Sequence, residues 1–329
     1  MNFMKPLLIL FSILVLTISQ LFAQDKMKII VAQDGSGDFT SIQAAIESCK
    51  CFPDARITIS VRNGIYHEKV RIPSCNTCLS IIGESVDKTI ISFDDYFDKI
   101  NRGRNSTFYT YTMIVEANDF YAENLTIENT AGAVGQAVAL HVEGDRCIFK
   151  NCRILGHQDT LYAAGQNSRQ YFVDCYIEGT VDFIFGAATV LFDNCTVCSR
   201  SNSYITAAST PKGKPYGFVF RNCKITAVKG IAHAYLGRPW RDYANVVYLN
   251  CELGDHISPE GWANWANTLR DKTAYYAEYE NTGPGANPKK RVSWSHQLSR
   301  EEAKIYTAKK ILSSALPSER GFVEWTNIR

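Results

Sequence analysis

The 329-residue sequence predicts an all-β solenoid, a parallel β-helix with short helices over its ends. Three observations predict it: a motif that recurs at intervals of 20-odd residues, strand-like content without a helical period, and a turn-forming residue at one fixed place in every copy. The motif is clearest in FKNCRI (149–154), FVDCYI (172–177), FDNCTV (192–197), FRNCKI (220–225) and YLNCEL (248–253). Each copy runs aromatic, variable, Asn or Asp, Cys, variable, aliphatic. An earlier copy, YAENLTI (121–127), has Leu125 where the others have Cys.

Each element of the motif has a physical part to play. Units bounded by Gly, Asn and Asp and rich in Val, Ile, Phe and Tyr build strands, and a coil made only of strands stacks as a β-helix. Asn or Asp suits the corner because both tolerate the left-handed backbone region. The Cys that follows takes the next inward position as a small hydrophobe. Cys152, Cys175, Cys195, Cys223 and Cys251 therefore read as an internal column of free thiols, despite eleven Cys in the chain. Cys49, Cys51, Cys75 and Cys78 lie outside the column and are open to pairing.

The ends of the chain carry different signals. Residues 1–23 hold one early cation, Lys5, then an apolar run from Leu7 to Leu16 and the small Ala23, the layout of a secretory leader cleaved near Ala23. The run is too short to span a membrane comfortably, and no later segment approaches 18 apolar residues. Cleavage leaves a single catalytic domain, 24–329, delivered to the periplasm or outside the cell. Thr40–Gln43 reads as a capping box opening one terminal helix, and Ser299–Glu302 as one opening another; solenoids need such covers.

The charge balance is almost neutral, 35 Lys and Arg against 33 Asp and Glu. That gives no support to nucleic-acid or membrane-surface binding and leaves room for a local basic patch facing an acidic substrate. Chemistry concentrates in GHQDTLY (156–162) and GTVDFIFG (179–186). Asp159 and Asp182 each follow their column Cys by 7 residues, so they occupy the same place on consecutive coils. Strand stacking sets their separation near 5 Å. Two carboxyls so close share a proton, one acting as acid and the other as base or nucleophile.

Other residues converge on that pair. Gln136, in GQAVAL, stands 23 residues before Asp159, and Gln158 adjoins it, so amide N–H groups lie where an oxyanion needs donors. Arg238, in LGRPW, precedes Cys251 by 13 residues as Asp182 precedes Cys195, two coils above Asp182 and placed to keep it ionised. Tyr162, Phe183 or Phe185, Tyr235 and Trp240 crowd the same face and suit stacking on sugar rings.

GQAVAL, GHQDTLY, GTVDFIFG and LGRPW, in that order, resemble the pectin methylesterase family. The similarity continues through GIYHEKV (64–70), ENLTIENTAG (123–132) and YAEYENTGPGA (276–286), covering residues 28–329. The resemblance implies a right-handed parallel β-helix and cofactor-free, metal-free hydrolysis of methyl-esterified homogalacturonan by a monomer. It makes Asp159 the proton donor, Asp182 the nucleophile and Gln158 the oxyanion donor. Gln136, Arg238, Trp240 and, through STFYTYT (106–112), Thr107 become substrate-binding residues, beside Tyr162 and Phe185. The carboxylate spacing alone also fits a retaining glycosidase. A lyase on the same fold, or an esterase for another carbohydrate, stands as a further alternative. No GxSxG occurs to support a serine esterase.

Overall fold

The computed structural model describes residues 27–313 together with 325 and 326; the expected leader, residues 1–23, lies outside the described residues. The strands fall into three parallel sheets of eleven, seven and eight members among the described residues. Each coil passes through the eleven-stranded sheet, then the eight-stranded, then the seven-stranded, as in 147–150, 153–155 and 161–163. The whole is a right-handed parallel β-helix.

The corner between the first two strands of each coil is two residues wide and turns on the first of them. Asn124, Asn151, Asp174, Asn194, Asn222 and Asn250 all adopt positive φ, between 47° and 58°. Only Asn, Asp and Gly enter that region cheaply, which explains why the motif fixes this position. The residue after each corner points inward: Cys152, Cys175, Cys195, Cys223 and Cys251 are buried and unbridged. The thiols of Cys175, Cys195, Cys223 and Cys251 donate to carbonyls of the neighbouring coil, as Cys175 does to Phe149 O at 3.3 Å. Burial pushes the thiols of Cys152, Cys195 and Cys251 well up, away from the reactive thiolate.

Three residues before each Cys, the motif's aromatic forms a second inner column. Phe149 stacks on Phe172 at 4.8 Å, Phe192 on Phe220 at 4.5 Å and Phe220 on Tyr248 at 4.3 Å. Each fully buried aromatic contributes about 1.5–3 kcal/mol relative to exposure. Because the columns fix which residues face each other, they also fix the register of everything on the outer surface.

The cysteines outside the column divide. Cys51 and Cys75 form a disulfide; Cys49 is buried and free, and Cys78 is free. Cys75 thus bonds a residue 24 positions away in place of its CxxC neighbour Cys78.

The terminal helices differ from expectation in detail. Helix α1 (Ile42–Glu47) begins one residue later than predicted, with Ser41 as N-cap accepting from Ala44 N at 3.3 Å. Gln43 does not close the box, because its amide oxygen accepts from Arg71 N at 2.8 Å. The carboxylate of Glu68 supplies the missing caps, accepting from the N–H groups of Ile42 and Gln43.

At the far end of the chain, Ser299 and Glu302 do make the reciprocal capping box of α2 (Arg300–Ala303). Yet this helix and α3 (Ala308–Leu312) do not cover the open end. Ile311 and Leu312 pack with Leu191, Val219 and Val247 on the outer face of the eleven-stranded sheet. That face carries a row of apolar side chains, and covering it removes their apolar area from water. At the end of the solenoid itself, Trp294 and Trp262 both pack on Tyr276. Among the described residues no helix is long and apolar enough to cross a membrane.

Candidate active site

The site lies where chain passes from the eight-stranded to the seven-stranded sheet on two consecutive coils. Each carboxylate sits in a tight turn opened by glycine. A Cβ on Gly156 would come within 2.7 Å of Thr160 Oγ1, and one on Gly179 within 2.2 Å of Phe183 Cβ. Those glycines let residue i+4 fold back against residue i, leaving the intervening Asp at the crest. Asp159 and Asp182 are both left-handed, with φ of 64° and 49°. A non-glycine residue in that region signals a conformation held in place by its surroundings, a common feature of reactive sites.

Strand register then aligns the two turns. Leu161 pairs with Ile184, and Asp159 N donates to Val181 O at 3.1 Å, so the two aspartates are neighbours on adjacent coils as the spacing predicts. Gln158 adjoins Asp159, and Gln136, one coil below, pairs with Gln158 in a parallel bridge. Neither side-chain amide has a hydrogen-bond partner among the described residues, so both remain available to a ligand.

Arg238 completes the group. Its Nε donates to Asp182 Oδ1 at 2.9 Å and its terminal nitrogen to Asp182 Oδ2 at 2.6 Å. The backbone of Arg238 is in register with Ala207 and Phe185 rather than with Asp182. Its side chain therefore reaches back down the solenoid, past the small Ala207. The guanidinium is sandwiched between the rings of Tyr204 and Trp265, at 4.0 and 4.1 Å from their centroids. Two faces and two prongs leave it one orientation.

The two carboxyls are electrostatically unequal. Burial pushes Asp159 well above the ordinary aspartate range, and the nearby charge of Asp182 pushes it further, against a weaker pull from Arg238. Asp159 nevertheless keeps part of its surface in the cleft, as a proton donor needs. Burial raises Asp182 too, but the hydrogen bonds and charge of Arg238 oppose that rise. The pair is therefore set to hold its proton on Asp159 and its charge on Asp182.

A cavity of about 290 Å³ opens over this pair. Of the residues predicted from sequence, Thr107, Gln136, Gln158, Asp159, Asp182, Phe185, Arg238 and Trp240 line it. Phe183, the alternative to Phe185, is wholly buried in the core, because strand alternation sends the two to opposite sides. Tyr162 does not line the cavity. It lies one coil below Phe185 and stacks on that ring at 4.5 Å. Tyr235 is likewise absent from the wall and stacks on Tyr204.

Four lining residues escape sequence reasoning: Arg104, Phe108, Ala207 and Trp265. Phe108 adjoins Thr107 in STFYTYT and could have been read with it. Ala207 matters for being small, which no motif advertises. Arg104 and Trp265 come from excursions outside the repeat, so the register that located the other residues says nothing of them.

Comparison with known proteins agrees with this geometry. A family model described as Pectinesterase matches residues 28–315. The chain is 41% identical to Pectinesterase 31 of Arabidopsis thaliana over 281 residues, 83% of this chain and 88% of that one. Against an Arabidopsis thaliana relative described as probable pectinesterase/pectinesterase inhibitor 23, it is 38% identical but spans only 52% of that protein. Among solved structures, pectin methylesterase from carrot superposes with a TM-score of 0.81 at 33% identity, covering 86% of this chain and 92% of that one. A pectin methylesterase in complex with a hexasaccharide gives 0.75 at 29%, covering 89% and 98%. With the family model spanning nearly all of the described solenoid and its own motifs converging on one cleft, this chain belongs to the pectinesterase family.

Proposed function

We propose that this chain hydrolyses the methyl esters of homogalacturonan to pectate and methanol, with Asp182 as nucleophile and Asp159 as acid and then base. The observation that carries this reading is the unequal pair: Asp182 bound in two places by Arg238, beside an Asp159 whose burial favours its protonated form.

The carboxylate of Asp182 attacks the ester carbonyl carbon, and the carbonyl oxygen becomes an oxyanion. The unpartnered amide of Gln158 stands ready to donate to that oxygen, which matters most in a site shielded from water, and Gln136 beside it holds substrate. Collapse of the intermediate breaks the bond to the methoxy oxygen, and Asp159 supplies the proton that lets methanol leave. Asp159, now ionised, takes a proton from water as that water attacks the acyl-enzyme. This frees Asp182 and a galacturonate carboxyl and reprotonates Asp159. Trp240 and Phe185, edge to face at 5.8 Å, offer apolar surface for a pyranose ring and a methyl group. The protein with a bound hexasaccharide among its structural neighbours supports an oligosaccharide in this cleft.

Export through a leader cleaved near Ala23, and a single catalytic domain of residues 24–329, complete the proposal. One assay separates it from its rival. With highly methylated pectin, methanol should appear with no new reducing ends; reducing ends without methanol would mean a chain-cleaving enzyme, a glycosidase or, with unsaturated ends, a lyase.

A further inference from the structure

We propose that Lys69, together with the buried amide of Asn129, is a positioning residue that fixes one wall of the cleft and so governs substrate binding without touching the chemistry. This rests on the esterase reading above. GIYHEKV and ENLTIENTAG supply no residue to the cleft wall, although the sequence resemblance runs through both.

The wall in question is a short 3-10 helix, Gly103–Tyr109, which brings Arg104, Thr107 and Phe108 to the cavity. It lies outside the strand ladders, and its N-cap, Arg102, makes no side-chain cap. Something else must hold it, and a helix C-terminus offers unpaired carbonyls for the purpose.

Lys69 uses one of them. Its Nζ donates to Tyr109 O at 2.7 Å and to Asp95 Oδ2 at 2.7 Å, with the ammonium 4.7 Å from the centre of the Tyr111 ring. Lys69 is half-buried, so these charge-assisted bonds are less screened than a surface pair. Asn129, only 4% exposed, extends the bracket. Its Nδ2 reaches Asp95 O at 2.8 Å, Val138 O at 3.1 Å and Thr110 O at 3.2 Å. Phe97 N, two residues past Asp95, donates to Gln136 O at 2.9 Å. A continuous set of polar contacts thus joins the wall carrying Thr107 to the segment carrying Gln136. Asp159 and Asp182 take no part, being held by their own turns and by Arg238.

The test is Lys69→Met, which removes every donor, with Lys69→Arg as the conservative control. Lys69→Met should raise KM for methylated pectin about tenfold with kcat and its pH profile kept, because misplaced binding groups weaken substrate holding. Lys69→Arg should return KM to near the wild-type value. Trypsin should also nick Lys69→Met faster at Arg102 and Arg104, which flank or lie in the released wall, and this readout does not depend on the reaction. An unchanged KM with only a lower Tm would overturn the proposal, as would a kcat loss at constant KM, or nicking at Arg102 and Arg104 that is no faster than in the wild type or is matched by equal acceleration at sites throughout the chain. If wild-type enzyme released no methanol, the esterase reading would fail instead, and the nicking comparison would still decide the role of Lys69.

Discussion

Arg238 grips both oxygens of Asp182, while Asp159, its neighbour one coil below, receives no bond from it. The asymmetry arises from direction. Arg238 reaches down two coils past Ala207, and Asp182 is the first carboxylate it meets. One member of a matched pair is thereby kept charged and the other is left to burial.

Asp182→Asn should reduce methanol release to below about a hundredth of wild type, a margin typical of losing a side-chain catalyst. The backbone should survive, since asparagine adopts positive φ as readily as aspartate. Circular dichroism beside the activity assay checks both. Retention of more than that fraction would remove Asp182 from the role of nucleophile.

Arg238→Gln should move the acid limb of the pH–rate profile upward by about 1–3 units, the size of the effect of an adjacent opposite charge. Without Arg238, burial alone acts on Asp182, and burial favours the protonated form. A profile that loses height but keeps its acid midpoint would contradict the assignment.

Asp159→Asn should stabilise the folded protein at neutral pH while abolishing turnover. The sign follows from linkage. Asp159 has a folded pKa raised above its ordinary value of 3.8, so the folded state binds the proton more tightly. Stability from this group is complete below 3.8 and is lost as pH climbs towards the raised value. The variant's advantage in Tm should therefore be present at pH 7 and shrink in acid. Equal Tm differences at both pH values would show that Asp159 is not perturbed as described.

Thiol titration of the unfolded, unreduced protein should find nine free thiols, with Cys51 and Cys75 paired. A count below five would dismantle the internal column.

Asn250→Ala should cost about 1–2 kcal/mol in denaturant unfolding, the penalty for a side chain other than Asn, Asp or Gly in the left-handed region. Asn250→Gly should cost much less. Equal losses would mean that the corner residue acts through its side chain and not its backbone.

The coil repeat was legible because a solenoid makes sequence distance proportional to height. Equal offsets from Cys152 and Cys175 placed Asp159 beside Asp182, and the same arithmetic brought in Gln136. It worked less well for Arg238, which reaches Asp182 through a long side chain from a backbone position level with Phe185. It misplaced the C-terminal helices, whose capping box is local but whose docking surface is not.

By itself, then, the sequence determined the corners, the inner columns and the alignment of the two carboxylates, because each follows from local backbone preference repeated at a fixed period. The tertiary structure alone decided what lies across the cleft from them. The Trp265 face against Arg238, the 3-10 wall with Phe108 and Arg104, and the partner of Cys51 all come from chain that leaves the ladder. Where such excursions settle is set by packing against distant coils, and no periodicity records it.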